Sequence, residues 1–325
     1  MFTYAELLDK INAAIAGLPF VRTPKELYAP IAYVLGMEGK RLRPVLMMMA
    51  YNLYQTKPEG ILAPATGIEI FHNYTLMHDD LMDHADMRRG KPTVHKVWGE
   101  NRAVLSGDVM LVMAYQWMSK VPYRSLKKVI ELFSLAAQEI CEGQQMDMEF
   151  EHRTTIGEHE YLEMIRLKTA VLLAESLRIG AILGGASMAD EDRLYELGIQ
   201  AGMAFQLKDD WLDVYGDPNI FGKNIGGDIL CNKKTYLLIK ARQHANATQR
   251  AELDRWMQIT ATDNPAAKIA GVTALYNEIG VGDMTEQAIL NYGRQAVSVL
   301  EKIGVENERK EELKKIVSGL MHRNV

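Results

Sequence analysis

Residues 71–93 read FHNYTLMHDDLMDHADMRRGKPT, and the middle of this stretch decides how the chain is interpreted. Asp79, Asp80 and Asp83 form a DDxxD pattern at the end of a largely apolar segment with helical spacing. Residues three and four apart share one face of a helix, so these carboxylates are predicted to project to one side. Carboxylates this close repel one another unless positive charge lies among them.

A second DDxxD pattern stands at Asp209, Asp210 and Asp213, after the apolar approach AGMAFQLK. Mg²⁺ in proteins takes one or two carboxylates together with water and substrate phosphates. Two such patches on facing helices would enclose a diphosphate bridged by metal ions. The repetition of the DDxxD pattern therefore predicts a diphosphate site with six candidate metal ligands, rather than a solvated acidic face.

Cationic residues accompany the aspartates, as a diphosphate site requires. The stretch GKRLRP contains Lys40, Arg41 and Arg43, and Arg88 and Arg89 follow the first cluster closely. Arginine and lysine are the usual partners of phosphate oxygens. These runs are therefore interpreted as diphosphate-binding segments.

Further polar candidates lie near the centre of the chain. Lys168 and Thr169 stand in the apolar segment 165–181, which is predicted to be one central helix buried on several sides. A buried lysine is costly unless it is paired, and the stretch GQQMD at 143–147 is a candidate partner network. Gln206, three residues before the second cluster, is predicted to share its face.

Composition narrows the class of protein. The chain has 325 residues, 48% apolar and 24% charged, which excludes general disorder. A net charge of −5 argues against nucleic acid as a partner. The two cysteines argue against a disulfide scaffold. The early apolar runs are too short to span a bilayer and the start of the chain lacks the basic region of a signal peptide, so we predict a cytoplasmic protein with no stable membrane anchor.

The apolar pattern predicts an all-α chain. Helix-forming Met, Ala, Leu, Glu and Lys dominate, and apolar residues recur at intervals of three and four more often than two. No Pro/Gly/Ser-rich linker divides the sequence. We therefore predict a single all-α domain over residues 1–325.

Together these residues resemble the trans-isoprenyl diphosphate synthases of the polyprenyl synthetase family. The resemblance runs in order from Gly39 to Thr235 through GKRLRP, the stretch 71–93, GQQMD, LKTA, FQLKDDWLD, FGKNIGGD and NKKT. It implies an isoprenoid-synthase-type helical bundle around a deep central cavity, usually a homodimer. It also implies three Mg²⁺ ions per active site, with isopentenyl diphosphate and an allylic diphosphate as substrates.

The resemblance assigns a role to each candidate residue. The leading Mg²⁺ ligands are Asp79, Asp83 and Asp209, supported by Asp80, Asp210 and Asp213. The isopentenyl diphosphate site comprises Lys40, Arg43, His72 and Arg89. The allylic diphosphate site comprises Arg88, Lys168, Thr169, Gln206, Lys223 and Lys233. Lys168, Thr169 and Gln206 are also expected to act at the reacting carbon, the latter two through oxygen atoms that steady a carbocation.

The residue types fit prenyl transfer. Metal ions and cationic side chains would neutralise the diphosphate that leaves as the allylic cation forms. An apolar cavity would shield that cation from water. The isopentenyl double bond would attack it, and loss of a proton would give the longer allylic diphosphate. No side chain stands out as a dedicated base, and the resemblance implies that the released diphosphate takes the proton.

Product length is predicted from the helix before the first cluster. Residues before Asp79 would lie deeper along the path of the growing chain; Thr75 aligns best with Asp79 on a helical wheel, Phe71 partly, and Tyr74 less well. In the family, the fourth and fifth positions before the cluster set product length, which here are Thr75 and Tyr74. The bulky side chain of Tyr74 argues against very long products. The small side chain of Thr75 argues against the shortest products. We predict geranylgeranyl diphosphate, with farnesyl diphosphate as the alternative product.

Three other classes of protein stay open. A class I terpene cyclase shares the fold and the first cluster, but it needs no second diphosphate site. A non-catalytic subunit of a heteromeric prenyl synthase typically loses one or both aspartate clusters. A ferritin-like di-iron protein would use Glu69-x-x-His72 and Glu149-x-x-His152, but it would leave both aspartate clusters unexplained.

Overall fold

The computed structural model describes residues 1–217, 225–259 and 263–322, with side chains through residue 320. Helices dominate, which confirms the predicted all-α class. Within these ranges the strands are limited to a short antiparallel hairpin of β1, Met87–Arg88, and β2, Lys91–Pro92. None of the described helices is both long and apolar enough to cross a membrane.

Sixteen α-helices are described, some joined by short turns of other helical types. They are α1 Tyr4–Ala16, α2 Lys25–Leu35, α3 Leu42–Asn52, α4 Leu62–Met82, α5 Val94–Trp98, α6 Glu100–Met118, α7 Tyr123–His152, α8 Glu158–Ile165, α9 Val171–Gly184, α10 Met188–Tyr215, α11 Gly227–Leu230, α12 Tyr236–His244, α13 Ala247–Gln258, α14 Pro265–Ile279, α15 Val281–Glu301 and α16 Asn307–His322. A 3₁₀ turn, Pro58–Ile61, precedes α4, and a π-helical turn, Arg166–Ala170, joins α8 to α9.

The chain forms two compact units, each built from separated segments. The first unit comprises Met1–Ser134, Glu175–Leu194 and Gly304–Leu313. The second comprises Leu135–Ala174, Tyr195–Ile303 and Lys314–Val325. The single-domain assignment stays a prediction.

The core of the first unit forms around α4, the helix that ends in the first aspartate cluster. Every residue from Pro64 to Phe71 is buried, so this half of the helix has no solvent face. A side chain at Gly67 would meet the backbone oxygen of Ala114 and the backbone nitrogen of Met118 at 3.1 Å. Gly67 therefore allows α4 and α6 to approach closely, which fixes the helix that carries the aspartates.

The second unit contains most of α10, including the part that carries the second aspartate cluster. A β-carbon at Gly198 would lie 2.3 Å from Cα of Ala174, and one at Gly202 would lie 2.5 Å from Cα of Ala170. These two glycines are four residues apart and share a helix face. They let α10 contact the preceding backbone directly, so the position of α10 is set by backbone shape rather than by long side chains.

The segment 165–181 is helical throughout and mostly buried, but it contains a π-helical turn that the sequence did not indicate. Helix α8 ends at Ile165, and the π-helical turn precedes α9. The turn lies in tight contact with its neighbours, because a β-carbon at Gly143 would come within 2.4 Å of the Lys168 backbone nitrogen. Turns of this type are rare and often lie at functional sites.

Candidate active site

The first aspartate cluster lies where α4 ends. The carboxylate of Asp80 is buried and is held by Arg88, whose Nε and Nη2 donate to Asp80 Oδ1 at 2.9 and 2.6 Å. Burial raises the pKa of Asp80, although Arg88 opposes the shift. Asp79 lies 3.8 Å from the same guanidinium, and Asp83 is exposed. The cluster therefore divides into an inner carboxylate that anchors the hairpin and two outer ones.

Three of the residues predicted to bind isopentenyl diphosphate share one region of the first unit. Arg43 Nη1 lies 3.2 Å from His72 Nε2, and the guanidinium of Arg89 packs against Gly39, beside Lys40. Because arginine only donates, His72 must accept at Nε2 and carry its proton on Nδ1. Burial and the surrounding arginines lower the pKa of His72 well below its usual value, so the ring is neutral.

This region is rich in positive charge. Burial, followed by repulsion from Arg89, lowers the pKa of Arg43 to about 10. The pKa of Arg89 is lowered as well, chiefly by burial. Buried cations that are costly to keep charged gain from an anionic ligand, which stabilises their charged form. The arrangement suits the multiple negative charges of a diphosphate.

Arg41, between Lys40 and Arg43 in sequence, has a structural role. Its backbone is left-handed, with φ of 46°, and its side chain is buried. The guanidinium donates to Glu69 Oε1 at 2.7 Å and to the backbone oxygens of Leu35 and Met37 at 2.8 and 2.7 Å. Arg41 therefore anchors the GKRLRP segment from inside.

The same contacts weigh against the di-iron alternative. Glu69 Oε1 accepts from Asn73 Nδ2 at 2.7 Å in addition to Arg41, and His72 faces Arg43. Both residues of this ExxH element therefore contact arginine side chains. Within residues 1–217, 225–259 and 263–322, no group of three His, Cys, Asp or Glu residues is placed to hold a metal by itself.

The second aspartate cluster is bound into a chain of hydrogen bonds. Tyr161 donates its hydroxyl proton to the buried carboxylate of Asp210. Gln206 Nε2 donates to Asp210 Oδ1 at 3.1 Å, and Thr169 Oγ1 donates to Gln206 Oε1 at 3.0 Å. The predicted residues Thr169, Gln206 and Asp210 are therefore brought together. The sequence did not point to Tyr161, which lies 49 positions before Asp210.

Like charges crowd the second cluster. Burial, followed by the nearby Asp228 carboxylate, raises the pKa of Asp210 to about 7 and that of Asp213 to about 6. Asp213 Oδ2 accepts from the backbone nitrogen of Asp228 at 3.0 Å, so it also satisfies a backbone donor in the first turn of α11. These carboxylates lack sufficient positive charge, and a divalent cation would supply it.

The donor chemistry of both clusters fits Mg²⁺. Carboxylate oxygens are its preferred protein ligands, and it normally completes its shell with water and substrate phosphate. A site completed by a diphosphate needs no closed cage of protein ligands. The residues present therefore fit an ion that is bound jointly with substrate.

Lys168, in the π-helical turn, contacts the predicted GQQMD network. Its Nζ donates to Asp147 Oδ2 at 2.6 Å. Although burial acts in the opposite direction, Lys233 and Lys168 lower the pKa of Asp147 overall. Two of the predicted phosphate-binding lysines thus lie near one carboxylate. Lys223 falls outside the described residues.

Aromatic rings form a continuous series below the first cluster. Ring centroids are 4.8 Å apart for His78 and Tyr74, 5.5 Å for Tyr74 and Phe71, and 5.1 Å for Phe71 and Phe133. Tyr115 continues the series at 4.9 Å from Phe133. This aromatic series includes two predicted chain-length residues and adds Phe133, which the sequence did not indicate because it comes from α7.

The third chain-length candidate, Thr75, donates its hydroxyl proton to the backbone oxygen of His72 at 2.8 Å. The hydroxyl is thereby satisfied within α4 itself. Thr75 is half-buried and lies outside the aromatic series. Only the methyl group of the Thr75 side chain is therefore left to contact a hydrocarbon chain.

Comparison with known proteins shows clear relatives. Residues 24–275 match the sequence model of the polyprenyl synthetase family. A geranylgeranyl diphosphate synthase of Methanosarcina mazei is 43% identical over 71% of this chain and 72% of its own. A geranylfarnesyl diphosphate synthase of Natronomonas pharaonis is 31% identical over 98% and 96%. The crystal structure of a geranylgeranyl pyrophosphate synthase is similar with a TM-score of 0.94 at 38% identity, covering 99% of each chain.

Proposed function

The chain belongs to the polyprenyl synthetase family, and from this membership we propose that it makes geranylgeranyl diphosphate as a short-chain trans-prenyltransferase. The reaction joins isopentenyl diphosphate to an allylic diphosphate and releases diphosphate. The observation that carries the proposal is the group of Arg43, His72 and Arg89, which is rich in positive charge. A reaction between two diphosphates needs such a cationic site in addition to the aspartate clusters. A terpene cyclase, with one diphosphate substrate, does not.

The isopentenyl diphosphate site works by charge and by hydrogen bonding. Arg43 and Arg89 bind phosphate oxygens, and their mutual repulsion is relieved when the anion arrives. His72 holds its proton on Nδ1 and is neutral, so it donates without adding charge. Lys40 extends from the adjacent loop as a further point charge. The site holds the nucleophilic double bond by its diphosphate end.

The allylic half depends on charge placed around the leaving diphosphate. Asp79 and Asp83 in the first unit, and Asp209 in the second, would each serve as Mg²⁺ ligands, and the family implies three ions; Mg²⁺ supplies Lewis-acid stabilisation of the leaving group when bound. Lys168 and Lys233 add fixed positive charge nearby. Positive charge at this point stabilises the transition state because negative charge develops on the departing oxygen.

Thr169 and Gln206 are oriented by their hydrogen bonds. Thr169 gives its proton to Gln206 Oε1, so the lone pairs of Thr169 Oγ1 are left to face a positive charge. Gln206 is held in this orientation because its Nε2 donates to Asp210. We infer that these oxygen dipoles steady the allylic cation. The released diphosphate then takes the proton that the condensed product loses.

The aromatic series supports a short product. Tyr74 is half-buried between Phe71 and His78, one to two helical turns before Asp79. A ring there limits how far a hydrocarbon chain extends along α4. We therefore propose a twenty-carbon product, while farnesyl diphosphate and the twenty-five-carbon product made by the Natronomonas relative are the alternatives.

A product assay tests the proposal. Purified protein is incubated with Mg²⁺, isopentenyl diphosphate and dimethylallyl, geranyl or farnesyl diphosphate in turn. The products are dephosphorylated and identified by mass spectrometry. A series that ends at twenty carbons is expected. A series ending at fifteen or twenty-five carbons would correct the assigned product length. The absence of elongation by folded protein would refute the proposed enzymatic activity.

We also propose a homodimer that forms through α6. Leu105 and Val112, seven residues apart on one face, are each 57% exposed, and neighbouring Val104 is 41% exposed. Large exposed apolar residues on one helix face are typical of an interface. Light scattering should give twice the mass of the chain, and Leu105→Glu with Val112→Glu should give the monomer. A monomeric wild-type protein would refute this interface.

A further inference from the structure

Lys268, on α14 in the second unit, is completely buried at 0% exposure. Its three acceptors are neutral oxygens: Asn232 Oδ1 at 2.8 Å, the Ile259 backbone oxygen at 2.9 Å and the Leu230 backbone oxygen at 3.3 Å. Burying an ammonium group is costly, and burial lowers the pKa of Lys268. The chemistry proposed above makes no use of this residue.

The three acceptors explain why a lysine stands here. An ammonium group carries three donors on one atom, and no other side chain does. Its acceptors come from the end of α11, from the loop Cys231–Thr235 and from the residue after α13. One side chain therefore ties the stretch 230–232 and the residue after α13 to α14 at a single point.

The loop Cys231–Thr235 depends on this contact at Asn232. Asn232 has a left-handed backbone, with φ of 54°, which is unfavourable for most residues but tolerated by asparagine. Its Oδ1 accepts from Lys268, and its Nδ2 donates to the Met257 backbone oxygen at 3.0 Å. Both ends of the amide are therefore held, and the backbone conformation is fixed with them.

The next residue is Lys233. Its backbone nitrogen donates to the Asp228 backbone oxygen at 2.9 Å, and its backbone oxygen accepts from the Thr235 nitrogen at 2.9 Å. The charge of Lys233 lowers the pKa of Asp147, the carboxylate that also accepts from Lys168 Nζ at 2.6 Å. The direction of Lys233 is thus set by a loop that Lys268 holds from behind.

We propose that Lys268 is a positioning residue for the allylic diphosphate site, acting through Asn232 on Lys233. The proposal rests on the function proposed above, because it takes Lys233 as a phosphate contact. Lys268 itself is fully buried and touches no substrate. Its loss should weaken recognition of the allylic diphosphate while leaving the isopentenyl diphosphate site unchanged.

The test compares Lys268→Met, Lys233→Met and the double variant. We expect Lys268→Met to raise the KM for geranyl diphosphate about tenfold and to change the KM for isopentenyl diphosphate by less than about twofold. In the double variant, the loss should be no greater than in Lys233→Met alone, because residues in one chain of contacts are not additive. Additive losses, or an unchanged KM in Lys268→Met, would overturn the proposal.

Two controls separate positioning from general damage. Lys310, another buried lysine, lies in the first unit, and Lys310→Met should lower the melting temperature without changing either KM. If Lys268→Met does not fold, Asn232→Gly provides the second variant, since glycine accepts the positive φ but lacks the amide. It should show the same selective rise in KM for geranyl diphosphate, and an unchanged KM would refute the proposal.

A binding experiment keeps this proposal distinct from the proposed function. Calorimetry with inorganic diphosphate and Mg²⁺ should show about tenfold weaker binding to Lys268→Met than to the wild-type protein. If the wild-type protein binds diphosphate but does not elongate an allylic diphosphate, the proposed function fails. The comparison of diphosphate binding by the wild-type protein and Lys268→Met still decides the role of Lys268. Equal binding by both proteins would refute the role of Lys268 alone.

Discussion

Replacing Tyr74 with alanine should lengthen the product by about one five-carbon unit. Tyr74 stands five residues before Asp79, about 7.5 Å along the helix axis, and Phe71 stands eight before it, about 12 Å. Without the Tyr74 ring, the next aromatic obstacle is therefore about 4.5 Å deeper. This distance is comparable with the length that one isoprene unit adds. The main product should shift from twenty to twenty-five carbons and stop there, because Phe71 and Phe133 are packed at 5.1 Å and are buried.

The variant should remain folded. Removing a fully buried aromatic ring costs about 3–5 kcal/mol, and Tyr74 is half-buried, so about 2 kcal/mol is expected. That is smaller than the stability of a typical domain. Product analysis by mass spectrometry measures the shift, and calorimetric unfolding measures the stability loss.

Tyr74→Phe is the matched control, since it keeps the ring and removes only the hydroxyl. It should retain the twenty-carbon product. An unchanged product in Tyr74→Ala would remove Tyr74 as the floor of the chain path. Products well beyond twenty-five carbons would show instead that Phe71 does not form the next stop.

Three further predictions follow from the charged groups. Glu69→Gln should lower the free energy of unfolding by about 3–5 kcal/mol in urea titration, because it leaves Arg41 buried without its carboxylate; a loss below about 1 kcal/mol would contradict the anchoring role. Tyr161→Phe should lower kcat about tenfold with the KM for isopentenyl diphosphate unchanged, because Asp210 loses its hydroxyl donor and no longer orients its neighbours; an unchanged kcat would exclude that role. The metal-free protein should lose stability as the pH rises from about 4 to about 7, and Asp210→Asn with Asp213→Asn should flatten that slope.

The sign of the pH dependence follows from the raised pKa values. Asp210 and Asp213 bind protons more tightly in the folded state, with pKa values of about 7 and about 6, than in the unfolded chain. Between the unfolded and folded values the folded state holds more protons, so the free energy of unfolding falls with rising pH. Urea titrations at several pH values measure it. A double variant with the same slope as the wild-type protein would exclude these carboxylates as its source.

Local sequence predicted those features that depend on nearby residues. The helical class follows from apolar spacing. The grouping of Arg43 with His72, 29 residues apart, was expected from the family pattern and not from local sequence. The polar stretch around residues 246–258 forms a regular helix, α13, because Asn246 and Gln249 cap its first turn reciprocally and Leu253 is buried. Its large apolar residues, Leu253, Trp256 and Met257, all lie in the second half of the helix, and this run is too short to show a helical period.

Contacts between distant residues could not be predicted. Asp79 and Asp80 are the same amino acid in adjacent positions, yet Asp80 is buried because Arg88 reaches it from the hairpin. Phe133 joins the aromatic series from another helix. Lys268 donates a hydrogen bond to Asn232, in a loop 36 residues earlier in the chain. In each case the partner lies on a different element, and only the folded backbone shows which residues meet.

The π-helical turn at Arg166–Ala170 changes which residues share a face of the helix. An α-helix turns by about 100° per residue, and a π-helical turn accommodates one residue more than the α-helical repeat. Tyr161 and Lys168, seven positions apart, would share one face of a regular helix; instead Tyr161 bonds to Asp210 and Lys168 to Asp147. The turn thus acts as a one-residue insertion that offsets the face of Lys168 from that of Tyr161. Deleting one residue there would give a regular helix without the backbone geometry that now directs Lys168 to Asp147.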